Sequence, residues 1–384
     1  MKTKVVIISE TIMDGVGKHI VDVVSHLDLS AFELTIIHSS KRLDYRFYEM
    51  KEKLIDVVDF FEVNELIREI HPVLDSKAFM QIYKILKRVH PDIVHCHSSK
   101  AGVVGRLAAR CLGVNRIFYT PHAYAAQNRT LSDRKKKLYL LAEKWLERFA
   151  TTAVLNVSEG ERTFALENGI GTESKLRVLY NSVEPALVKE EEKQSIKEAI
   201  AGEFGLSSNK IVIGTVARLY TQKNPFEFLE IAKRVCDKNS DAVFAWIGEG
   251  EFLESAREWV KERELVDRIL FLGHRKGIEK YHMWFDIYLT SALYEGLPYT
   301  LIEALSASTP IVASDVIGNN ELVIHEKTGY LYSLGECDKA VMYLQKLIET
   351  PTLREEMGNE GHALFKEKFD LDKMIQQYVE LYRM

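Results

Sequence analysis

Lys4-Val-Val-Ile-Ile-Ser9-Glu10-Thr-Ile-Met-Asp-Gly15-Val-Gly17-Lys-His19 carries two signals in succession. Val5 to Ile8 is an unbroken apolar run, which suits a parallel strand buried on both faces rather than a half-solvated one. After the glycines, Ile20, Val21, Val23, Val24 and Leu27 recur at helical spacing. Strand, glycine turn, helix is the opening of a doubly wound nucleotide-type domain. The third glycine and acidic ribose ligand of the dinucleotide fingerprint are not evident, so that reading is set aside. Gly15 and Gly17 still let the backbone come close to a ligand.

Working outward, the alternation continues. Strands are expected at Phe32–Ile37, Asp56–Val63, Pro91–His97, Arg116–Thr120, Thr152–Val157 and Lys175–Val178, with a charged stretch running to Glu52 and helices at Ser76–Val89, Ala101–Leu112 and Glu159–Asn168. The count then restarts at Ile211-Val-Ile-Gly-Thr-Val-Ala217, with further strands at Ala242–Ile247, Ile269–Leu272, Ile287–Thr290, Ile311–Ala313 and Gly329–Leu331, and a last pair of helices ending in Leu371–Arg383. Two βα-alternating halves predict an α/β protein of two facing doubly wound domains, 1–185 and 186–384, with the final helix packing back on the first. The charge-rich Val188–Lys197 segment is the expected exit from the first domain.

At 384 residues, two domains are the natural expectation. The first 185 residues hold 27 Lys+Arg against 23 Asp+Glu (+4), the remainder 24 against 33 (−9), summing to the net −5. That balance, without a strong basic stripe, speaks against a nucleic-acid partner. Four scattered cysteines point to a reducing cytosol rather than a disulfide framework. The chain opens directly on a strand and has no apolar run long enough to span a bilayer, so a cytoplasmic protein is expected. Arg134-Lys135-Lys136-Lys137, followed by Leu138, Leu141, Trp145 and Leu146, reads as a basic amphipathic helix suited either to solvent or to the anionic inner face of the plasma membrane.

His95-Cys96-His97 has the look of a metal site, but adjacent strand residues point to opposite faces and cannot share one ion, so no metal ligands are assigned. His122, in Thr120-Pro-His122 just past a strand end, lies where open α/β sheets bind ligands. In Glu295-Gly-Leu-Pro-Tyr-Thr-Leu-Ile-Glu303, Pro298 suits the first position of a helix. Glu295 would then stand on the entering loop, and Glu303 about two turns along, eight residues having rotated it back to within about 80° of the starting face. Amide N–H groups at that helix start attract phosphate.

With these residues in view, the chain resembles the retaining glycosyltransferases of family 4, which have the GT-B fold of two Rossmann-like domains facing across a cleft. Gly214-Thr-Val-Ala-Arg218-Leu-Tyr-Thr-Gln-Lys223-Asn224, Gly248-Glu-Gly250 and the spaced Glu295 and Glu303 carry the likeness in the second half. Gly15-Val-Gly17, Thr120-Pro-His122, Val157-Ser158-Glu159 and Asn181-Ser-Val-Glu184 carry it in the first. The resemblance implies that Arg218 and Lys223 hold the donor diphosphate, and that Glu303 accepts the ribose hydroxyls. Glu295 would bind a hydroxyl of the transferred sugar, while the Leu297 amide and Gly248 lie by the nucleotide. His274 and Arg275 would frame the base. Gly15 and Gly17 would approach the phosphate, and His122 the sugar or reacting centre. It implies a nucleotide-sugar co-substrate, most simply a UDP-sugar, a glycan or lipid-linked acceptor in cell-surface polysaccharide synthesis, and no metal or other cofactor. A nucleotide-sugar epimerase or hydrolase, and a non-catalytic accessory protein, are the competing readings.

Overall fold

The structure, a computed structural model, describes residues 2–186, 190–207 and 209–384; Val188 and Lys189, the start of the expected exit segment, lie outside them. In chain order, the first part contains β1 (Thr3–Ser9), α1 (Asp14–His26), β2 (Phe32–His38), α2 (Tyr45–Leu54), β3 (Asp59–Glu62), α3 (Pro72–Val89), β4 (Ile93–His97), α4 (Ser99–Cys111), β5 (Arg116–Thr120), α5 (Asp133–Ala150), β6 (Ala153–Asn156), α6 (Glu159–Glu167) and β7 (Leu176–Val178). The second contains α7 (Glu190–Glu203), β8 (Ile211–Val216), α8 (Pro225–Cys236), β9 (Ala242–Ile247), α9 (Leu253–Lys261), β10 (Ile269–Gly273), α10 (Ile278–Trp284), β11 (Ile287–Thr290), α11 (Tyr299–Ser306), β12 (Ile311–Ser314), α12 (Asn319–Leu322), β13 (Gly329–Tyr332), α13 (Cys337–Glu349) and α14 (Pro351–Lys368). The chain ends with α15 (Leu371–Arg383).

These elements form two compact units, residues 1–181 with 371–384, and residues 182–370. The break falls four residues before the expected one at 185. Val183 bridges to Asp370, which places Ser182–Pro185 with the second unit.

The first unit is a seven-stranded sheet in the order β3-β2-β1-β4-β5-β6-β7, parallel throughout. The continuous apolar character of β1 has a direct cause. Val5 and Ile7 enter one core with Ile20, Val23 and Val24 of α1 and Met374, Tyr378 and Tyr382 of α15. Val6 and Ile8 enter the opposite core with Ile82 and Leu86 of α3 and Ala101 and Ala108 of α4. A strand covered on both sides has no face left for polar residues. The second unit is a six-stranded parallel sheet, β10-β9-β8-β11-β12-β13. One of its faces packs Ile213, Phe244, Trp246, Leu289 and Val312 against Phe228 of α8 and Leu344 of α13.

Several helices depart from the sequence expectation. The charged stretch to Glu52 contains α2, which buries just Phe47 and Met50 and so shows little apolar period. Its start is fixed by Asp44, whose side chain accepts from the Arg46 and Phe47 amides. α3 begins at Pro72, four residues early, because the His71 ring accepts from the Leu74 amide and Pro72 needs no partner. The short α10 and α12 were not foreseen, and three helices rather than two follow β13.

Candidate active site

In both sheets the strand order reverses once, at β1/β4 and at β8/β11. Open α/β sheets bind ligands outside the carboxyl ends of the strands at such a point. In the second unit the loop leaving β8 carries Arg218 and Lys223, and the loop leaving β11 carries Glu295. Lys223 Nζ lies 2.5 Å from Glu295 Oε1. Gln222 Nε2 donates to Glu295 Oε2 (3.4 Å) and to the Tyr294 carbonyl (3.0 Å). The Leu293 amide donates to the Gln222 carbonyl at 2.8 Å, stitching the loops together. Burial works against the Lys223 ammonium, but the Glu295 charge and hydrogen bond outweigh it and raise its pKa. Lys223 is therefore a fixed cation at neutral pH. The Arg218 guanidinium lies 4.8 Å from the centre of the Tyr220 ring.

Gly248 and Gly250 sit beneath the Arg218 loop. A Cβ on Gly248 (φ +134°) would fall 2.1 Å from the Ala217 carbonyl oxygen, and one on Gly250 2.5 Å from that of Leu219. The missing side chains let the end of β9 press against residues 217–219, and the Leu219 amide bonds the Glu249 carbonyl at 3.0 Å.

The helical reading of Glu295–Glu303 needs correction. α11 starts at Tyr299 and Pro298 is its N-cap residue, in extended conformation (φ −73°, ψ 121°). Half of the eight-residue interval is therefore loop, the rotation reckoned over a continuous helix does not apply, and Glu303 stands about one turn into α11. Glu303 lies against a side chain of another helix. Its Oε2 is 3.2 Å from Nε2 of the fully buried His282 on α10, whose ring stacks on Tyr288 of β11 at 5.5 Å. Tyr288 is locked in turn, its hydroxyl accepting from the Val216 amide (3.1 Å) and donating to the Val216 carbonyl (3.2 Å).

Leu297 is buried at the turn before α11. His274 is exposed beyond β10, its amide 3.4 Å from Glu249 Oε1. Arg275, expected beside a base, donates to the Leu272 carbonyl (3.0 Å) and pairs with Glu203 of α7 (3.1 Å) at the edge of the sheet.

In the first unit Gly15 is exposed on the first turn of α1. A Cβ on Gly17 would meet the Ile12 carbonyl carbon at 2.7 Å, so Gly17 allows α1 to cross close over the loop that follows β1. Around the carboxyl ends of β4 and β5 four histidines converge. His19 Nδ1 donates to Asn181 Oδ1 (3.0 Å) and its Nε2 accepts from the Tyr378 hydroxyl (2.8 Å). His95 bonds the Tyr382 hydroxyl (2.7 Å) and Thr120 Oγ1 (2.9 Å). His97 Nδ1 and His122 Nε2 are 3.0 Å apart. His122 and Ala123 both have left-handed backbones (φ +53° and +80°), a strained turn held by the buried Glu161 carboxylate, which accepts from the Ala123 amide and, at 3.0 Å, from the Val157 amide.

Adjacent strand residues do diverge, as the sequence argument required: His95 faces the α15 tyrosines while Cys96 joins the opposite core. Yet residues distant in sequence bring nitrogens of His19, His97 and His122 within 4.8 Å of one another, a set that could hold a metal ion. His19 already spends both nitrogens on Asn181 and Tyr378.

Burial depresses all four histidine pKa values, that of His19 to about 4 and the others well below the ordinary 6.5. The unfolded chain therefore binds protons that the folded unit refuses, and stability present in full above pH 6.5 is lost as the pH falls toward 4. From His19 alone this is about 3 kcal/mol. Urea titrations at pH 7.5, 6 and 5 should show falling stability, and a flat profile would refute neutral burial of the cluster.

Sequence reasoning missed His282, Gln222, Tyr288, His19 and Glu161 as supports. The first three lie on other elements from the carboxylates and strand ends they hold, so no local spacing marks them.

The arrangement is a paired cation and carboxylate beside a guanidinium at one switch point, with a second carboxylate on the helix alongside. It suits an anionic, hydroxyl-bearing ligand. Comparison with known proteins agrees. The family profile described as "Glycosyltransferase Family 4" matches residues 13–187, and that described as "Glycosyl transferases group 1" matches 196–363. The chain is 32% identical over 344 residues to the Escherichia coli UDP-Gal:alpha-D-GlcNAc-diphosphoundecaprenol alpha-1,3-galactosyltransferase, covering 87% of this chain and 86% of that protein. It is 23% identical to the putative glycosyltransferase EpsD of Bacillus subtilis, over 79% and 80% of the two chains. The crystal structure of Anabaena HepE in complex with UDP and glucose matches with a TM-score of 0.82 at 18% identity, covering 99% of each chain. Two parallel-sheet Rossmann-like units, the order of the Arg218, Lys223, Glu295 and Glu303 motifs, and this extent of identity establish the chain as a glycosyltransferase of family 4 with the GT-B fold.

Proposed function

We propose that the enzyme transfers a sugar, with retention of anomeric configuration, from a UDP-sugar to a hydroxyl of a lipid-linked glycan during cell-surface polysaccharide assembly. The observation that carries this reading is the Lys223–Glu295 pair beside Arg218 where β8 and β11 part. Breaking the bond from the anomeric carbon to phosphate leaves an oxocarbenium-like sugar and a nucleoside diphosphate, whose growing negative charge needs fixed cations. Arg218 offers a planar fork of donors and Lys223 a compact ammonium with three. Glu295 then has two tasks, keeping Lys223 charged and presenting an acceptor to a sugar hydroxyl. Glu303, beside His282, accepts from the ribose. The acceptor oxygen bonds the anomeric carbon on the face the phosphate leaves, and its proton passes to the departing phosphate oxygen. No side chain is assigned as nucleophile, and the two glutamates are not a glycosidase pair. The name of the E. coli relative, which specifies UDP-Gal and a diphosphoundecaprenol-linked acceptor, supports the donor and acceptor classes.

The test is a panel of nucleotide sugars read by thermal shift, followed by turnover with the best binder. UDP or a UDP-sugar should raise the melting temperature by mass action, and turnover should persist in excess EDTA. Preference for another nucleotide would overturn the donor assignment, and strict dependence on a divalent cation the metal-free mechanism. Donor consumed without product on an acceptor would favour hydrolysis.

A further inference from the structure

α5 carries apolar side chains on its outer face as well as its inner one. Its inner face buries Leu146, Glu147 and Ala150. Leu138, Leu141, Trp145 and Phe149 point outward, exposed by 61, 62, 52 and 51%. Their spacing of three, four and four residues makes one stripe about 16 Å long, and the Trp145 and Phe149 rings lie 5.5 Å apart along it. The charges are sorted the opposite way. Glu143 is drawn inward to the buried Arg106 (2.7 Å) and the Tyr119 hydroxyl (2.9 Å), and Glu147 pairs with Lys175 (3.2 Å). Left exposed beside the stripe are Arg134, Lys135, Lys137, Lys144 and Arg148, and Asp133 at the helix start is the one fully exposed carboxylate of α5.

A contiguous exposed apolar stripe marks an interaction surface, and the sorting of charge selects the partner. With its two later carboxylates neutralised inside, the outer face offers apolar bulk flanked by cations, the complement of an anionic bilayer surface. No described helix is long and apolar enough to cross a membrane. We propose that this face of α5 docks on anionic lipid, Leu138, Leu141, Trp145 and Phe149 entering the boundary between headgroups and acyl chains while the cations meet the lipid phosphates. The proposal stands on α5 alone and does not depend on the donor assignment.

The experiment is sedimentation of the full-length protein with vesicles of phosphatidylcholine, with and without about one-third phosphatidylglycerol. Partitioning should be at least about tenfold stronger on the anionic vesicles and fall as salt rises. Trp145 is exposed, whereas Trp246 and Trp284 are buried, so binding should also shift tryptophan emission to the blue. Two variants, Leu141→Ser/Trp145→Ser/Phe149→Ser and Lys135→Glu/Lys137→Glu, should each lower partitioning by about tenfold or more, with circular dichroism and nucleotide-induced thermal shift unchanged. Equal binding to both vesicle types, or binding indifferent to both variants, would overturn the proposal. So would a concentration-dependent dimer dissolved by the first variant, which would assign the stripe to a second copy of the chain.

Discussion

Lys223→Ala is expected to lower kcat/KM for sugar transfer by about a thousandfold, the scale on which removing one preorganised charge-stabilising group acts. The same change also removes the partner of a largely buried carboxylate, because Glu295 Oε1 lies 2.5 Å from the ammonium. Breaking one side of such a pair costs several kcal/mol when fully buried. Lys223 retains 22% of its side-chain exposure, so a loss of about 2 kcal/mol is expected. The two effects separate in a double-mutant cycle. Lys223→Ala/Glu295→Ala should recover much of the stability, since no carboxylate is stranded, yet recover no transfer, since the cation that meets the leaving diphosphate is still missing. Denaturant titration gives one arm and initial rates at saturating acceptor the other. Full activity in Lys223→Ala, or activity that follows stability through the cycle, would remove Lys223 from the donor site.

Glu303→Ala should act differently, raising donor KM by about a hundredfold with a smaller change in kcat, as expected when charge-assisted hydrogen bonds to a part of the substrate remote from the reacting carbon are lost. The assignment to ribose can be read directly. The parent enzyme should bind UDP more tightly than 2′-deoxy-UDP, and in Glu303→Ala that preference should vanish. Glu303→Gln keeps the shape and an acceptor oxygen but changes what faces His282 at 3.2 Å, and should fall between. Unchanged discrimination between the two nucleotides in Glu303→Ala would sink the ribose role even if affinity fell. Calorimetry with the two nucleotides makes the measurement without the acceptor.

What could be read from the chain before folding follows from how each signal is stored. The strands were legible because parallel sheets covered on both faces demand apolar runs, and Val5–Ile8 of β1, Ala242–Ile247 of β9 and Ile287–Leu289 of β11 are unbroken ones. α2 was not, because two buried residues leave no period to detect. The helical argument about Glu303 failed. Its distance from Glu295 was converted to a rotation over helix, but the first half of that distance is loop. For Arg275 the chain gave no sign of the protein partners it has, the Leu272 carbonyl and Glu203.

The sequence by itself determined the two doubly wound halves, the family, and the identity of the charged residues after β8 and β11. Those depend on local composition, and each is carried by a run of neighbouring positions. Tertiary structure alone decided which groups meet. It paired Lys223 with Glu295 across 72 residues and set the unheralded His282 behind Glu303. It gathered His19, His95, His97 and His122 from three segments under the tyrosines of α15, and it turned the apolar stripe of α5 outward. Contacts of that kind arise from sheet order and the crossing of helices, which place side chains together without leaving any spacing between them in the chain.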